Sequence, residues 1–219
     1  MILLLALASY LVGSTPFGLL VGRRVRGVDI REFGSGKLGF TNSLRTLGLG
    51  PSLVVIAGDM LKGAVPVLAA SALWMHVAAL HAAAPSELQL VAACAAVLGH
   101  ILPVFAGFKG GRGVATSWGA TLAMMPGVAL ALLAVAAALV LAYRYVSVAS
   151  IVGTPTGALL VWILVLTHRE PVAHGLWALI ATALILVAHR DNIRRLRNGT
   201  EPKIGHGGQR RPHAGNANP

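Results

Sequence analysis

The segment at 114–142, VATSWGATLAMMPGVALALLAVAAALVLA, decides the fold, because it is a long apolar run without a charged side chain. A helix needs about 20 apolar residues to cross a hydrocarbon core roughly 30 Å thick, so this run is long for one crossing. Met125, Pro126 and Gly127 interrupt it, and a proline inside a helix breaks the backbone hydrogen bonding. The segment therefore crosses the membrane either once, or twice as two short helices that return to the starting side.

Apolar segments also fill most of the remaining chain, at 2–22, 52–80, 88–106, 147–167 and 172–188. Charged residues make up 11% of the chain, against about 25% in soluble domains, and the mean hydropathy is +0.74. This composition excludes an ordinary soluble globule and a disordered chain. Arg23, Arg24 and Arg26 follow the first apolar segment, the reverse of a secretory signal, so we expect that segment to remain as a span.

The distribution of positive charge decides between one and two crossings. The chain has 18 Lys and Arg against 7 Asp and Glu, and most of the basic residues lie in three segments, 23–51, 107–113 and 189–219. Basic loops stay in the cytoplasm. Two short helices within 114–142 put all three basic segments on that side, whereas a single crossing would put the last one outside.

We therefore predict an all-α membrane protein, a seven-helix transmembrane bundle with some short helices, the N-terminus outside and the C-terminus inside. Five full spans plus a re-entrant hairpin is the alternative. Residues 1–204 would form a single integral-membrane catalytic domain, and 205–219, rich in Gly, Pro and Asn, a disordered cytoplasmic tail. The net charge of +11 favours an anionic leaflet or anionic substrates over nucleic acid. Cys94 is the sole cysteine, which excludes an intrachain disulfide.

Three Gly-rich or basic segments on the cytoplasmic side carry candidate chemistry. The first, 34–48, reads GSGKLGFTNSLRTLG. It fails as a dinucleotide site or a P-loop, because no strand–helix unit surrounds it and Leu38 follows Lys37 where Ser or Thr is needed. Gly34 and Gly36 would let backbone N–H groups form an anion-binding nest. Ser35 would add a hydroxyl donor. Thr41 or Asn42 would cap a short helix that carries the cation Arg45.

The second segment, 99–116, reads GHILPVFAGFKGGRGVAT. Three glycines, Gly110, Gly111 and Gly113, would let a ligand approach the backbone closely. Two cations, Lys109 and Arg112, would supply fixed positive charge. The alternative is a simple turn between helices that carries ordinary cytoplasmic charges.

The third segment, 189–203, reads HRDNIRRLRNGTEPK and would continue as a helix. His189 and Asn192 share one face, whereas Arg195 lies between that face and the one that suits lipid headgroups.

Within the apolar spans, Asp59 and Lys62 have the i,i+3 spacing of an ion pair, with substrate contact as the alternative. Ser147 opens a span, where it would act as an N-cap or contribute to the site.

These three segments, in this order, resemble the cytoplasmic motifs of the bacterial acyl-phosphate:glycerol-3-phosphate acyltransferases (the PlsY family). The resemblance implies transfer of a fatty acyl group from acyl phosphate to the sn-1 hydroxyl of glycerol 3-phosphate, giving lysophosphatidic acid and inorganic phosphate. It implies seven membrane helices, location in the bacterial inner membrane with the site facing the cytoplasm, and no metal or organic cofactor. The chain departs from the usual motif at Lys37 and Phe40, where Asn and Ala are typical.

The expected partners are glycerol 3-phosphate, acyl phosphate and membrane lipid, with no nucleic acid and no obligate protein partner. Motif matching and the residue chemistry together give the candidate catalytic residues His189, Asn192 and Ser35. The candidate substrate-binding residues are Arg45, Lys109, Gly34, Gly36, Thr41, Asn42, Gly110, Gly111, Arg112, Gly113, Ser147 and Arg195, and Glu201 matches a motif acid with a structural role. Whether His189 is a base or a substrate binder stays open at this point. A transporter or flippase for an organic phosphate is the alternative function.

The topology predicts the outcome of cysteine labelling in intact cells. In a Cys94→Ala background, a cysteine at position 109 or 197 should resist a membrane-impermeant thiol reagent added from outside, because both positions lie in segments assigned to the cytoplasm. Labelling should become efficient once the membrane is permeabilised. Efficient labelling of either position in intact cells would contradict the shared cytoplasmic face.

Overall fold

The computed structural model describes residues 1–211, and the helices within this range account for its regular structure. The ten α-helices are α1 (Ile2–Gly13), α2 (Phe17–Arg26), α3 (Phe40–Leu47), α4 (Leu49–His76), α5 (Pro85–Ile101), α6 (Val114–Met124), α7 (Pro126–Tyr143), α8 (Val146–Leu166), α9 (Val172–Ala188) and α10 (Arg190–Arg197). Three short 3₁₀ turns lie at Ile30–Glu32, Ala78–Leu80 and Val104–Ala106.

The break within 114–142 is confirmed, because α6 ends at Met124 and α7 begins at Pro126. Pro126 takes the first helical position, where its missing N–H costs no helical hydrogen bond. With only 11 residues, α6 rises about 16 Å, too little to cross a hydrocarbon core alone.

Five stretches of the described chain are long and apolar enough to cross a membrane: Ile2–Arg26, Leu49–His76, Pro85–Ala106, Pro126–Tyr143 and Val146–Leu166. A sixth is added if α9 and α10, which meet at a bend of 58°, count as one span. The all-helical membrane architecture is thus confirmed. The predicted number of seven helices and the orientation of the termini stay predictions.

The first apolar segment contains a break that the sequence analysis did not predict. α1 ends at Gly13 and α2 begins at Phe17, after Pro16. The carbonyl oxygen of Thr15 accepts a hydrogen bond of 3.1 Å from the N–H of Phe17 and a second one, of 2.8 Å, from Lys62 Nζ on α4. The buried cation of α4 therefore stabilises this broken helix as well as meeting a carboxylate of its own helix.

Glycines bring the helices of the bundle into close contact. A Cβ on Gly63 of α4 would collide with the backbone of Thr116 on α6, and a Cβ on Gly119 of α6 would collide with the backbone of Met60 on α4. α1 and α5 meet in the same way at Gly13. Such small residues let helix backbones approach closely inside a membrane, and here they place the start of α6 beside the middle of α4.

The end of the described chain packs onto the first polar segment and onto the turn between α7 and α8. Residues 205–211, which the sequence assigned to a disordered tail, include Arg210, which forms an antiparallel bridge with Phe33. The backbone N–H of Ile204 donates to the carbonyl oxygen of Arg144 at the turn between α7 and α8. The remainder of the predicted tail, 212–219, lies outside the described residues.

Candidate active site

A cavity of about 360 Å³ lies where the three polar segments meet. Most of the predicted site residues line it: Ser35, Thr41, Asn42 and Arg45 from the first segment, Arg112 and Gly113 from the second, His189 and Asn192 from the third, and Ser147 from α8. Lys37, Asp59, His100 and Glu201 also line it. The structure therefore brings the three segments together at one site.

Apolar side chains also line the cavity. They come from α4, α6 and α7, namely Ile56, Met60, Trp118, Leu133 and Ala136. The indole Nε1–H of Trp118 already has a partner, because it donates to the carbonyl oxygen of Ala129 at 2.9 Å. The lining thus contains apolar side chains that could contact a hydrocarbon chain and charged side chains that could bind an anion.

Asn42 holds the first loop in shape rather than capping α3, which corrects the expectation that Thr41 or Asn42 is the helix cap. The N-cap of α3 is Gly39, and both candidate caps lie inside the first turn. Asn42 is 2% exposed, and its Nδ2 donates to the carbonyl oxygens of Ile30 and Lys37 at 2.8 and 3.0 Å. With both ends of its amide engaged, Asn42 fixes the loop that carries Ser35.

Residues 34–36 have the backbone conformation expected of an anion-binding nest, but their N–H groups already donate to oxygens of the protein. Gly34 and Gly36 have φ of +49° and +69°, a left-handed conformation that favours glycine. The three N–H groups of this stretch donate, in order, to the oxygens Gln209 O, Asn42 Oδ1 and Phe33 O. In this structure an anion would therefore be held by side chains rather than by these N–H groups.

Of the two cations in the second segment, the structure brings only Arg112 to the cavity. Arg112 lines it, and its buried Nε has no hydrogen-bond partner within residues 1–211. Burial, reinforced by the positive charge of Arg195 and opposed by Glu201, lowers the pKa of Arg112 to about 10, so the guanidinium stays charged at neutral pH. Lys109 is exposed and lies outside the lining.

The glycines next to Arg112 allow the loop to pack against the end of α5. The N–H of Gly111 donates to the carbonyl oxygen of His100 at 3.1 Å, and a Cβ on Gly111 would collide with the His100 ring. A Cβ on Gly110 would meet the same carbonyl oxygen. These two glycines thus serve the position of the loop, and only Gly113 of the three lines the cavity.

His189 is a buried, neutral imidazole at the junction of α9 and α10. Its Nδ1 lies 2.8 Å from the carbonyl oxygen of Ile185, and since a carbonyl only accepts, Nδ1 carries the proton. Burial and the nearby charge of Arg112 lower the pKa of His189 to about 4. The neutral ring therefore keeps Nε2 as an acceptor.

Glu201 holds the third segment together. Its carboxylate accepts a hydrogen bond from Asn192 Nδ2 at 2.6 Å and one from Arg195 Nε at 2.7 Å. Burial opposes ionisation of Glu201, but these hydrogen bonds outweigh it and leave its pKa below the ordinary value. Arg195 is thus turned toward Glu201 and is not part of the cavity lining.

Arg45 and Ser147 complete the polar part of the lining. Arg45 Nη2 donates to the carbonyl oxygen of Pro202 at 3.0 Å, and burial lowers the pKa of Arg45. Its Nε, like Asn192 Oδ1, is buried without a partner within residues 1–211. Ser147 lies in the first turn of α8, whose N-cap is Tyr145, so the N-cap expected at Ser147 is corrected.

The intramembrane pair predicted from its spacing forms, with a third member that the sequence analysis missed. Lys62 Nζ lies 2.8 Å from Asp59 Oδ1, and His100 Nδ1 lies 3.4 Å from the same oxygen. His100 belongs to the quoted second segment, so the signal was present, but its partner lies on another helix. Within residues 1–211, no cluster of three His, Cys, Asp or Glu side chains is arranged to hold a metal ion.

Comparison with known proteins agrees with this architecture. A profile described as glycerol-3-phosphate acyltransferase matches residues 3–199. Proteins named glycerol-3-phosphate acyltransferase are similar along nearly the whole chain: that of Synechococcus elongatus is 43% identical over 204 residues (92% of this chain and 93% of the relative), and that of Geobacillus kaustophilus is 42% identical over 207 residues (94% and 98%).

Two solved structures are also similar. A crystal structure of PlsY (YgiH), an integral membrane glycerol 3-phosphate acyltransferase in its glycerol 3-phosphate form, superposes with a TM-score of 0.81 at 37% identity, covering 93% of this chain and 96% of that one. The lysophosphatidic acid form gives a TM-score of 0.79, covering 92% and 94%. The chain, with its cationic cavity inside an all-helical membrane fold, therefore belongs to the glycerol-3-phosphate acyltransferase family.

Proposed function

We propose that this acyltransferase moves a fatty acyl group from acyl phosphate to the sn-1 hydroxyl of glycerol 3-phosphate, giving lysophosphatidic acid and inorganic phosphate. The observation that carries the proposal is that one cavity is lined both by the half-buried guanidinium groups of Arg45 and Arg112 and by apolar side chains from α4, α6 and α7. Both phosphates would bind to cations of the lining, and the acyl chain would contact the apolar side chains.

An acyl phosphate donor suits the groups that this cavity provides. When the acyl carbon–oxygen bond breaks, phosphate leaves as an anion, so the leaving group needs positive charge and little help from an acid. Arg112 supplies a buried charge that no carboxylate neutralises by direct contact within residues 1–211. His189, with a pKa of about 4, carries no proton to donate from Nε2 at neutral pH.

The nucleophile is the sn-1 hydroxyl of glycerol 3-phosphate, and its proton must leave as the new ester bond forms. His189 Nε2 is a weak base because of its low pKa. A phosphate monoester, with a second pKa of roughly 6, is the stronger base of the two. We therefore assign the proton to the phosphate of glycerol 3-phosphate itself, and assign to His189 the role of accepting a hydrogen bond from a substrate hydroxyl.

The remaining lining side chains would position the glycerol moiety and the reacting carbonyl. Ser35 and Ser147 offer hydroxyl groups, and Asn192 offers an amide oxygen that is free of protein partners within residues 1–211. A covalent intermediate on Ser35 has no support, because no histidine or carboxylate is recorded in a hydrogen bond to its hydroxyl among the described residues. Transfer would thus be direct, from donor to acceptor.

The site would face the cytoplasm of a bacterial inner membrane, where soluble glycerol 3-phosphate is available. The N-terminus would then lie outside and the C-terminus inside, with seven membrane helices of which α6 is the short one. The neighbours α4 and α7 would shield α6 from lipid where its length falls short of a full span.

The reaction predicts a balanced set of products from purified protein. In detergent or lipid, glycerol 3-phosphate and long-chain acyl phosphate should yield 1-acyl-glycerol 3-phosphate and one inorganic phosphate per acyl group, with chelator present. Acyl-CoA should be a poor donor. Turnover with acyl-CoA and none with acyl phosphate would contradict the donor. A protein inactive with both that carries glycerol 3-phosphate unchanged into sealed vesicles would favour transport instead.

The two cations of the second segment can be separated by kinetics. Arg112→Ala should lower kcat/KM by about 10- to 150-fold, since a charge-assisted hydrogen bond is worth about 1.5–3 kcal/mol. Lys109→Ala should lower it by less than about threefold, because Lys109 is exposed outside the cavity. Arg194→Ala, an exposed cation on α10, is the matched control. A larger loss at Lys109 than at Arg112 would overturn this assignment.

The pH dependence tests the role of His189. With a pKa of about 4 it stays neutral between about pH 6 and pH 8, so its titration contributes nothing to the rate in that range. His189→Ala should therefore raise KM for glycerol 3-phosphate about tenfold or more, while the shape of the kcat profile against pH stays that of the wild type. A fall mainly in kcat, with an inflection lost from the profile, would identify a base instead.

A further inference from the structure

The described chain extends past the end of the family match at residue 199 and crosses the first polar loop. We call residues 205–211 the C-terminal strap. The N–H of Gly34 donates to the carbonyl oxygen of Gln209 at 3.0 Å, and the N–H of Arg211 donates to that of Glu32 at 2.7 Å. Arg210 Nη2 forms an ion pair of 2.8 Å with Glu32. Two backbone hydrogen bonds and one ion pair thus fix the strap on the loop that carries Ser35.

The strap places the guanidinium of Arg211 directly on Gly36. A Cβ on Gly36 would collide with Arg211 Nη1 and lie 3.3 Å from its Cζ, so the missing side chain makes room for the cation. Arg210, the preceding residue, forms an ion pair with Glu32. Within residues 1–211, Arg211 has no carboxylate within ion-pair distance, and its side chain is exposed to solvent.

Lys37 follows Gly36 and turns into the cavity, where it is half-buried. Burial lowers the pKa of Lys37, and the positive charges of Arg112, Arg190 and Arg211 lower it further, with Asp191 as the opposing charge. Among the charged groups that act on Lys37, three are thus positive and one is negative. Like charges repel one another, and an anion of two negative charges would relieve that repulsion.

We propose that Lys37 and Arg211 form an outer phosphate-binding subsite at the mouth of the cavity, which binds the phosphate monoester of the water-soluble substrate. The proposal rests on the proposed function and adds to it a binding residue that lies beyond the family match. The same chemistry would fit a phospholipid headgroup. We assign it to the soluble substrate because the strap is hydrogen-bonded to the polar loop that carries Ser35, whereas the apolar lining comes from α4, α6 and α7.

Steady-state kinetics of the full chain test this subsite. Arg211→Ala and Lys37→Ala should each raise KM for glycerol 3-phosphate about five- to tenfold, and leave kcat and KM for acyl phosphate within about twofold. Arg211→Lys should restore part of the loss, because it keeps the charge. Arg197→Ala, which removes an exposed cation of α10, is the control and should match the wild type. The affinity for glycerol 3-phosphate, measured by calorimetric titration of each variant, should fall in the same order.

Three outcomes would overturn the proposal. Unchanged KM for glycerol 3-phosphate in Arg211→Ala, with an active wild type, would refute the subsite and leave the proposed function standing, whereas an inactive wild type would refute the function itself. Equal losses for both substrates together with a lower Tm would make the strap a structural element. If the substitutions at Lys37 and Arg211 raised KM in vesicles of anionic phospholipid but not in neutral detergent, the two cations would bind a lipid headgroup instead. The same KM increase in both media supports the soluble substrate.

Discussion

The carboxylate of Glu201 is the interaction on which the arrangement of the site depends. It is 8% exposed, and it lines the cavity together with the cations Lys37, Arg45 and Arg112 and with Asp59. Burial lowers the pKa of Arg45 and of Arg112, and the negative charge of Glu201 opposes that shift in both. Because Asn192 Nδ2 and Arg195 Nε bind its two oxygens, the same group also sets the direction of the Asn192 amide. One buried negative charge thereby stabilises the charged form of two guanidinium groups and orients the Asn192 side chain.

The membrane imposes a second constraint, which is that polar groups at the level of the apolar helices need partners. Lys62 meets this need twice, by its contact with Asp59 and by its hydrogen bond to the carbonyl of Thr15 where the first apolar segment breaks. Asp59 in turn contacts His100, whose ring and carbonyl support Gly111 beside Arg112. The polar cluster within the bundle is therefore continuous with the loop that delivers a cation to the cavity.

The sequence predicted the features that depend on local chemistry. The break at Pro126 follows from the proline itself, and the Asp59–Lys62 pair follows from helical spacing. The choice between Lys109 and Arg112 did not follow, because both flank the same two glycines and only the packing of Gly111 on His100 decides which one turns inward. The helix cap expected at Thr41 or Asn42 was wrong because the partners of Asn42, the carbonyl groups of Ile30 and Lys37, are set by a loop conformation that residue spacing does not show.

The chemistry of the lining side chains separates two kinds of substrate group. Arg45, Arg112 and Lys37 can only donate hydrogen bonds, and they suit phosphate oxygens. His189 Nε2 and Asn192 Oδ1 are acceptors, since Ile185 fixes the tautomer of one and Glu201 fixes the amide of the other. Acceptors of this kind suit a hydroxyl group and repel a phosphate. For glycerol 3-phosphate, the acceptor that we propose, this division of donors and acceptors favours one orientation, with the phosphate toward the cations and a hydroxyl group toward His189 and Asn192.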